Sequence, residues 1–470
     1  MIKDDAYEFD LELSESYYDE LPINCPLVNE VYSAVIPSED AWISCYDHSP
    51  SDSAQSTSSG SLHTKVHVEL DEEDREKVVL KVREGDLRIE EAERRDFNQS
   101  YVVSSPSLRV PHTALLFPVQ EYVDPERTNP QKPHRITAFS LAADKSHIPI
   151  SNYPYREQRF SKQIPYFRNV LSVQFYVHFA TANHDIFASG LKAHKSTVTS
   201  LRFFPSSRVL LSSGADFTLQ IYPADPISTS AVSSGQTSKR VSSVRTLSSH
   251  IRSVTSTAMI GRGRAIISAS MDGTIRIWNV STGEEEALVH SASGMPIPLT
   301  NGTLYAALHD GSFEVLKLDG SKKPPELVHE FRSERSAYGP LSTIAVSSSF
   351  PTAAEKFIAV GSTKGVISVY NASTYAPVLH FRRSEASIET LAFASLPGDS
   401  PRLGLVIATA DGLPWVAELH TLPQEKATVY AELAGGDVDP VRAVSVHTMS
   451  NSEVEVWTAS DDGIVRRYVL

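Results

Sequence analysis

The stretch Ser268-Ala-Ser-Met-Asp-Gly-Thr-Ile-Arg-Ile-Trp278 restricts the fold of this chain more than any other. It reads as two short strands around a tight turn. Ile266 and Ile267 lead into it. Asp272-Gly273 supply the turn, because glycine reaches positive φ without a Cβ penalty. Beyond the turn, Ile275, Ile277 and Val280 alternate with Thr274, Arg276 and Asn279, close to the period of a half-buried strand. Ser249-His250 stands about twenty residues upstream, just before another apolar run. Much of the remaining chain reads as imperfect copies of this unit.

One copy precedes it: His194, then Val198–Phe203, Val209–Ser212, Asp216 and Leu219–Tyr222, with Tyr222 in the place of Trp278. Others follow. One carries Leu304–Ala307, Asp310-Gly311 and Phe313–Leu316; the next has Leu341–Val346, Phe357–Val360 and Val366–Tyr370, with Lys364 in the usual Asp position. Two more hold Asp411-Gly412 before Trp415 and Asp462-Gly463 before Ile464–Tyr468. A strand at Arg135–Leu141 begins the earliest copy, which brings the count to seven. A His, a strand Ser, a turn Asp and a strand Trp at these intervals resemble one blade of a WD-repeat β-propeller, whose repeats run about 40–45 residues. The expected fold class is therefore all-β, a seven-bladed WD-repeat β-propeller with a small N-terminal extension domain. In such a blade the Asp carboxylate holds the His ring, the His meets the Ser hydroxyl, and the Ser reaches the Trp indole N–H. Buried polar groups need partners of this kind. The structural relay residues are His250, Ser268, Asp272 and Trp278, with His194, Ser212, Asp216 and Tyr222 in the preceding blade.

Charge divides the chain. Residues 1–130 hold 28 Asp and Glu against 11 Lys and Arg, a net of −17, whereas residues 131–470 are near neutral at +3. The expected domains follow: an acidic N-terminal domain over 1–130, with a Ser-rich linker at 49–61, and the propeller over 131–470. An acidic surface disfavours phosphate backbones and favours a basic protein partner, or simply keeps the chain in solution. Two cysteines, Cys25 and Cys45, give neither a disulfide framework nor zinc spacing, and the acidic start lacks the layout of a signal peptide. No apolar run approaches the roughly 18 residues of a membrane helix. A cytoplasmic and nuclear location, no membrane and no nucleic-acid partner are the expectations.

Within the N-terminal part, residues 1–48 mix acids with aromatics around Ala41–Cys45 and read as a small unit or one packed on the propeller. Lys65–Leu70 alternates like an edge strand. Val78–Val82 and Leu87–Ile89 read as further strands, with a solvated helix over 69–96 as the alternative. Residues 118–134 carry four Pro and read as a connection. Residues 152–190 show neither the Asp-Gly turn nor the Trp-ended strand expected there. They read as an atypical insertion or as a gene-model artefact. The chain stops just after an inner strand, and an open edge invites aggregation. An N-terminal strand should complete the last blade, with Tyr101–Val103 and Leu115–Phe117 as candidates.

No catalytic constellation emerges. Gly361-Ser-Thr-Lys-Gly365 lacks phosphate-loop spacing and sits between strands. The two Ser/His/Asp sets repeat in successive blades, which marks them as structural, and no cofactor or metal is expected. Gly261-Arg-Gly-Arg264 is a basic hairpin turn, far short of a nucleic-acid patch. The better candidate is the loop face before each innermost strand, with Arg252, Met271, Tyr338, Glu385, Glu389, Asp437, Asp439 and Asp461 expected on it. The acids of this set would form a docking site for Arg or Lys.

Ala431–Arg442, containing Gly-Asp-Val-Asp-Pro-Val, and Thr458–Tyr468, ending Gly-Ile-Val-Arg-Arg-Tyr, resemble the C-terminal end of the proteasomal ATPase-associated factor family. Val198–Ser206, Gly261–Ser270 and Ala41–Cys45 resemble its second and third repeats and a motif of its N-terminal domain. The resemblance implies a fungal-type, non-enzymatic assembly chaperone of the 19S regulatory particle. Such a protein binds the C-terminal domains of proteasome ATPase-ring subunits and keeps immature modules from docking on the 20S core; outside that intermediate it would be a monomer. The alternative is a scaffold or substrate receptor of a ubiquitin ligase complex, although Trp278-Asn-Val-Ser281 departs from the Trp-Asp-x-Arg element common in such receptors.

Overall fold

A computed structural model describes residues 7–13, 31, 34–47, 61–74, 77–91, 100–107, 110–123, 135–141, 148–153, 175–180, 186–191, 194–224, 242–290, 299–300, 302–322, 325–347, 356–398, 402–420, 426–436, 439–449 and 453–470. The chain is all-β. Its described strands divide into antiparallel sheets of repeated plan, and seven of these succeed one another from Arg135 to the C-terminus, each built on three or four consecutive strands. By contact density the chain falls into two compact units. One holds Met1–Val123, Ala345–Ser460 and Ile464–Leu470; the other holds Asp124–Ile344 with Asp461–Gly463.

In the second unit the Trp278 sheet shows why the repeat works. Val254–Ile260, Ala265–Ser270, Thr274–Asn279 and Glu285–His290 pair in sequence order. Ala265–Ser270 is buried at nearly every position, because the strand is sandwiched between neighbours in its own sheet and covered on both faces. The preceding sheet, Val198–Phe203 through Arg245–Ser248, packs on it through Phe204, Leu211 and Leu219 against Val254, Ile266 and Trp278. On the other side, Ile267, Ile275 and Ile277 meet Leu304, Ala306 and Leu316 of the following sheet. Arg135–Phe139, Ile148–Tyr153, Phe175–Ala180 and Ile186–Leu191 form a four-stranded sheet as well, so the segment 152–190 contributes two paired strands around residues that lie outside the described set.

The first unit corrects several expectations from sequence. Ser61–Leu70 is an interior strand and not an edge one: it pairs with Ser38–Asp47 on one side and Val78–Val82 on the other. Tyr7–Leu13 completes that sheet. Over 69–96 the described elements are the strands Val78–Val82 and Arg88–Glu91. Tyr101–Val103 and Leu115–Phe117 do not complete the last blade. Val110–Leu116 instead runs parallel to the outer strand Lys426–Leu433 of the sixth sheet, and Ser100–Ser105 and Arg88–Glu91 extend it to seven strands. The core of this N-terminal region joins Ala41, Ile43, Val66, Val68 and Val78 to Tyr101, Val103 and Leu115.

The strand that completes the last sheet is Gln120–Val123, inside the segment read as a connection. It pairs antiparallel with Ile464–Val469, from Ile464 opposite Val123 to Arg467 opposite Gln120. Side chains fix this pairing. Arg466 Nε donates to Glu121 Oε1 at 2.8 Å, both side chains being under a tenth exposed, and Tyr122 stacks on Trp457 with ring centroids 5.6 Å apart. Periodicity missed the strand because four residues between prolines are too short to show a period.

A buried charge left without its partner is costly, so Glu121→Ala should lower stability by about 3 kcal/mol. Urea unfolding followed by tryptophan fluorescence measures this; an unchanged midpoint would mean that Arg466 does not depend on the N-terminal strand.

Candidate functional site

The Trp278 sheet carries a continuous chain of polar contacts. Trp278 Nε1 donates to Ser268 Oγ at 2.8 Å. Ser268 Oγ lies 2.7 Å from His250 Nε2, and His250 Nδ1 lies 2.8 Å from Asp272 Oδ2. The carboxylate also accepts from Ile251 N–H at 3.1 Å and from Thr274 Oγ1 and N–H at 2.6 and 2.9 Å. Local geometry sets these positions: His250 precedes the inner strand, Ser268 lies on the next strand, and Trp278 is in register with Ile266 on the third.

The direction of each hydrogen bond follows from donor counting. With His250 neutral and protonated at Nδ1, its N–H points to Asp272 and its Nε2 accepts from Ser268, whose oxygen accepts from Trp278. Protonating Nε2 would place two donors on Ser268 and strand the hydroxyl proton. Burial pushes His250 below its ordinary value near 6.5, against the pull of Asp272. Burial alone would raise Asp272, but hydrogen bonds from Thr274, His250 and Ile251 outweigh it and bring the carboxyl down to about 2.

The sheet before it repeats the set with one change. His194 lies 2.8 Å from Asp216 and 2.9 Å from Ser212. Burial opposes, but hydrogen bonds from His194, Lys195 N–H and Thr218 prevail, and Asp216 also falls to about 2. Tyr222 occupies the register of Trp278, opposite Leu210, but its hydroxyl donates to Gln220 Oε1 at 2.6 Å and does not reach Ser212. In the fourth sheet the His is replaced altogether: Arg332 reaches Asp310 at 2.6 Å and Arg335 reaches it at 3.3 Å. Neither arginine was visible as a partner in the sequence, since one ends the outer strand and the other lies in the loop beyond it.

Ser268, His250 and Asp272 have the distances of a catalytic triad, but not its access. Ser268 is fully buried and His250 is 6% exposed, and the Ser268 oxygen is already occupied by the indole N–H. A substrate carbonyl has no route to it. Among the described residues, no group of three or more His, Cys, Asp or Glu side chains is placed to hold a metal ion.

The residues expected on the loop face separate into distinct environments. In the second unit, Arg252 is exposed, Met271 is 58% exposed and Tyr338 is half-buried. Asp461, just after the strand Val454–Ser460, lies with Asp462 in a buried turn and has polar partners there. In the first unit, Glu385 projects with its side chain 88% exposed. Glu389 pairs with Arg442 at 3.1 Å, and Asp439 is half-buried with partners of its own. Asp437 lies outside the described residues. The acids that are described therefore do not form one open cluster.

Sequence reasoning also passed over two exposed apolar residues near Met271 in the repeat pattern. Ile251 is 74% exposed and Phe217 is 43% exposed. Phe217 follows Asp216 where the other turns have Gly273, Gly311, Gly365, Gly412 and Gly463, all at φ between 75 and 88°. Phe217 adopts φ 71°, a left-handed conformation that costs an L-residue about 1–2 kcal/mol. A Phe in a glycine slot was the available signal.

Residues 186–222 and 241–279 match the WD domain, G-beta repeat family. Each match runs from the outer strand of one sheet through three strands of the next, Ile186–Leu191 opening the first. The chain thus carries WD repeats in an all-β fold of the β-propeller type, and WD-repeat proteins are generally non-catalytic scaffolds for protein–protein interaction. No curated protein sequence matches it.

Two outcomes follow from the relay. Asp272→Ala should cost about 2 kcal/mol at neutral pH by orphaning His250 and Thr274, read by urea unfolding. The pH dependence has a definite sign. His250 binds its proton less readily when folded, so its contribution is complete above pH about 6.5 and is lost as pH falls below that value. Asp272 adds a second loss between pH about 4 and 2. Wild type should therefore lose stability from pH 7.5 to 5, and His250→Asn should lose less over the same range; parallel losses would show that another group titrates.

Proposed function

We propose that this WD-repeat scaffold is an assembly chaperone of the proteasome base, binding the C-terminal domain of one of the ATPase-ring subunits during 19S assembly in the cytoplasm and nucleus. The observation that carries the reading is the selective C-terminal pair of motifs, Gly436-Asp-Val-Asp-Pro-Val441 with Gly463-Ile-Val-Arg-Arg-Tyr468. In the fold both belong to the last sheet or its approach: Val441 opens the strand Val441–Thr448, and Ile464–Val469 lies one strand away. Arg466 of the second motif is the residue that holds Gln120–Val123. Its neighbour Arg467 pairs with the buried Glu455 at 2.7 Å. Much of that motif thus secures the scaffold, which leaves recognition to the loops.

Glu385 is the acid best placed to meet a basic partner, being highly exposed and held only loosely, 3.7 Å from Arg382. Asp439, at the entrance to the last sheet, would add to it. Such a complex would keep an immature module from docking on the 20S core.

The intact chain should bind the isolated C-terminal domain of a proteasome ATPase in biolayer interferometry, with affinity that falls as salt rises. Glu385→Lys combined with Asp439→Lys should weaken binding by about tenfold, equivalent to about 1.4 kcal/mol. No binding to the C-terminal domain of any of the ATPase-ring subunits would remove the proposal and favour a ubiquitin-ligase scaffold, which co-purification with a cullin adaptor would identify.

A further inference from the structure

The second unit carries a surface of a different character, formed by the turns of the His194 and His250 sheets. These turns lie at one end of adjacent sheets. Ala215 N–H donates to Thr197 O in the His194 sheet and Met271 N–H to Ser253 O in the His250 sheet, so each turn sits beside the start of its own inner strand. The two inner strands begin side by side: Thr199 Oγ1 donates to Val254 O, and Ser200 Oγ lies 3.2 Å from Thr257 Oγ1. Phe217, Ile251 and Met271 are therefore exposed at the same end of neighbouring sheets.

The solvent-exposed charges of these turns are positive. Asp216 and Asp272 turn inward to their histidines, and their side chains are only 10% and 1% exposed. Lys195 and Arg252, by contrast, are exposed next to His194 and Ile251. The relay thus hides both carboxylates and leaves the two cations in solvent. Phe217 adds a third observation. Five equivalent turns relieve their left-handed backbone with glycine, whereas this one keeps a strained, solvent-facing aromatic ring. Strain kept at a solvent-facing aromatic residue points to a role beyond the fold.

We infer that Phe217, Ile251 and Met271, flanked by Lys195 and Arg252, form a docking site for an acidic peptide segment of a protein partner with aromatic or aliphatic anchors. Apolar side chains would seat on the three apolar residues, and carboxylates would meet the ammonium and guanidinium groups. The inference does not rest on the proteasome reading, which calls for a basic partner.

The test is selection of a phage-displayed random dodecapeptide library on the full chain, followed by fluorescence anisotropy with the synthetic consensus peptide. The enriched peptides should be acidic with large apolar residues. Arg252→Glu and Met271→Ser should each weaken binding of the consensus peptide by about tenfold. Phe217→Gly is the decisive variant: it should raise the melting temperature by relieving strain and yet weaken peptide binding by a similar factor, a combination that a purely structural role would not give. A basic or wholly polar consensus, no enrichment, or binding indifferent to these substitutions would overturn the inference. So would sedimentation showing that wild type self-associates through this patch and that Arg252→Glu is a monomer.

Discussion

The contact between Arg466 and Glu121, 345 residues apart in sequence, is the one on which the C-terminal sheet depends. A β-sheet with its own three strands exposes a row of unpaired backbone donors and acceptors at its outer edge. Ile464–Val469 is the last strand in chain order, and the cover for its outer edge comes from far upstream. Gln120–Val123 supplies four residues of backbone pairing, and the buried ion pair with the Tyr122–Trp457 stack selects this register over its neighbours. Backbone hydrogen bonds alone are indifferent to a slip of two residues; a guanidinium that needs a carboxylate is not.

The same logic governs the interior of the repeats. A strand as thoroughly buried as Ala265–Ser270 leaves no water for its polar side chains, so Ser268 and Ser270 must find partners within the fold. Ser270 donates to Arg252 O and accepts from Asp272 N–H, while Ser268 takes the His250–Trp278 chain. The fourth and fifth sheets reach the same end by other means. Arginines replace histidine on Asp310, and Ser362 Oγ accepts from Val366 N–H at 3.0 Å where Lys364 replaces the turn acid. What recurs is satisfaction of the turn, not any one side chain. That is why the sequence copies look so imperfect while the sheets look alike.

Locality separates what could be read in the sequence from what could not. The all-β class and the repeat plan are legible because alternation, an Asp-Gly turn and its flanking residues act within about twenty residues of one another. Long-range pairings are not. Gln120–Val123 has no periodic signature, and nothing in Tyr101–Val103 says that it extends the sixth sheet rather than completing the seventh. Exposure also escaped. Asp461 reads as an exposed loop acid, yet it is buried, and burial of a charge is a property of everything packed around it. Phe217 is the reverse case, an apolar residue that composition places in a core and the turn leaves in solvent.

These placements bear on how charge is deployed. Much of the acid in the folded N-terminal sheet is spent internally: Asp40 meets His67, Lys65 and Arg83, and Glu69 meets Lys81. The repeats treat acid similarly, drawing Asp216 and Asp272 into their relays and pairing Asp310 with two arginines. A net charge of −14 therefore does not translate into an acidic surface at the His194 and His250 turns, where the visible charges are Lys195 and Arg252. Because Coulomb forces between exposed groups fade over about 10 Å at 0.1 M salt, a partner docking at those turns responds to these local cations and not to the distant total. Sequence-wide charge thus governs solubility and long-range approach, while the inward turn of each carboxylate, held by its histidine, threonine and backbone donors, leaves the exposed cations to set the sign that a docking partner must carry.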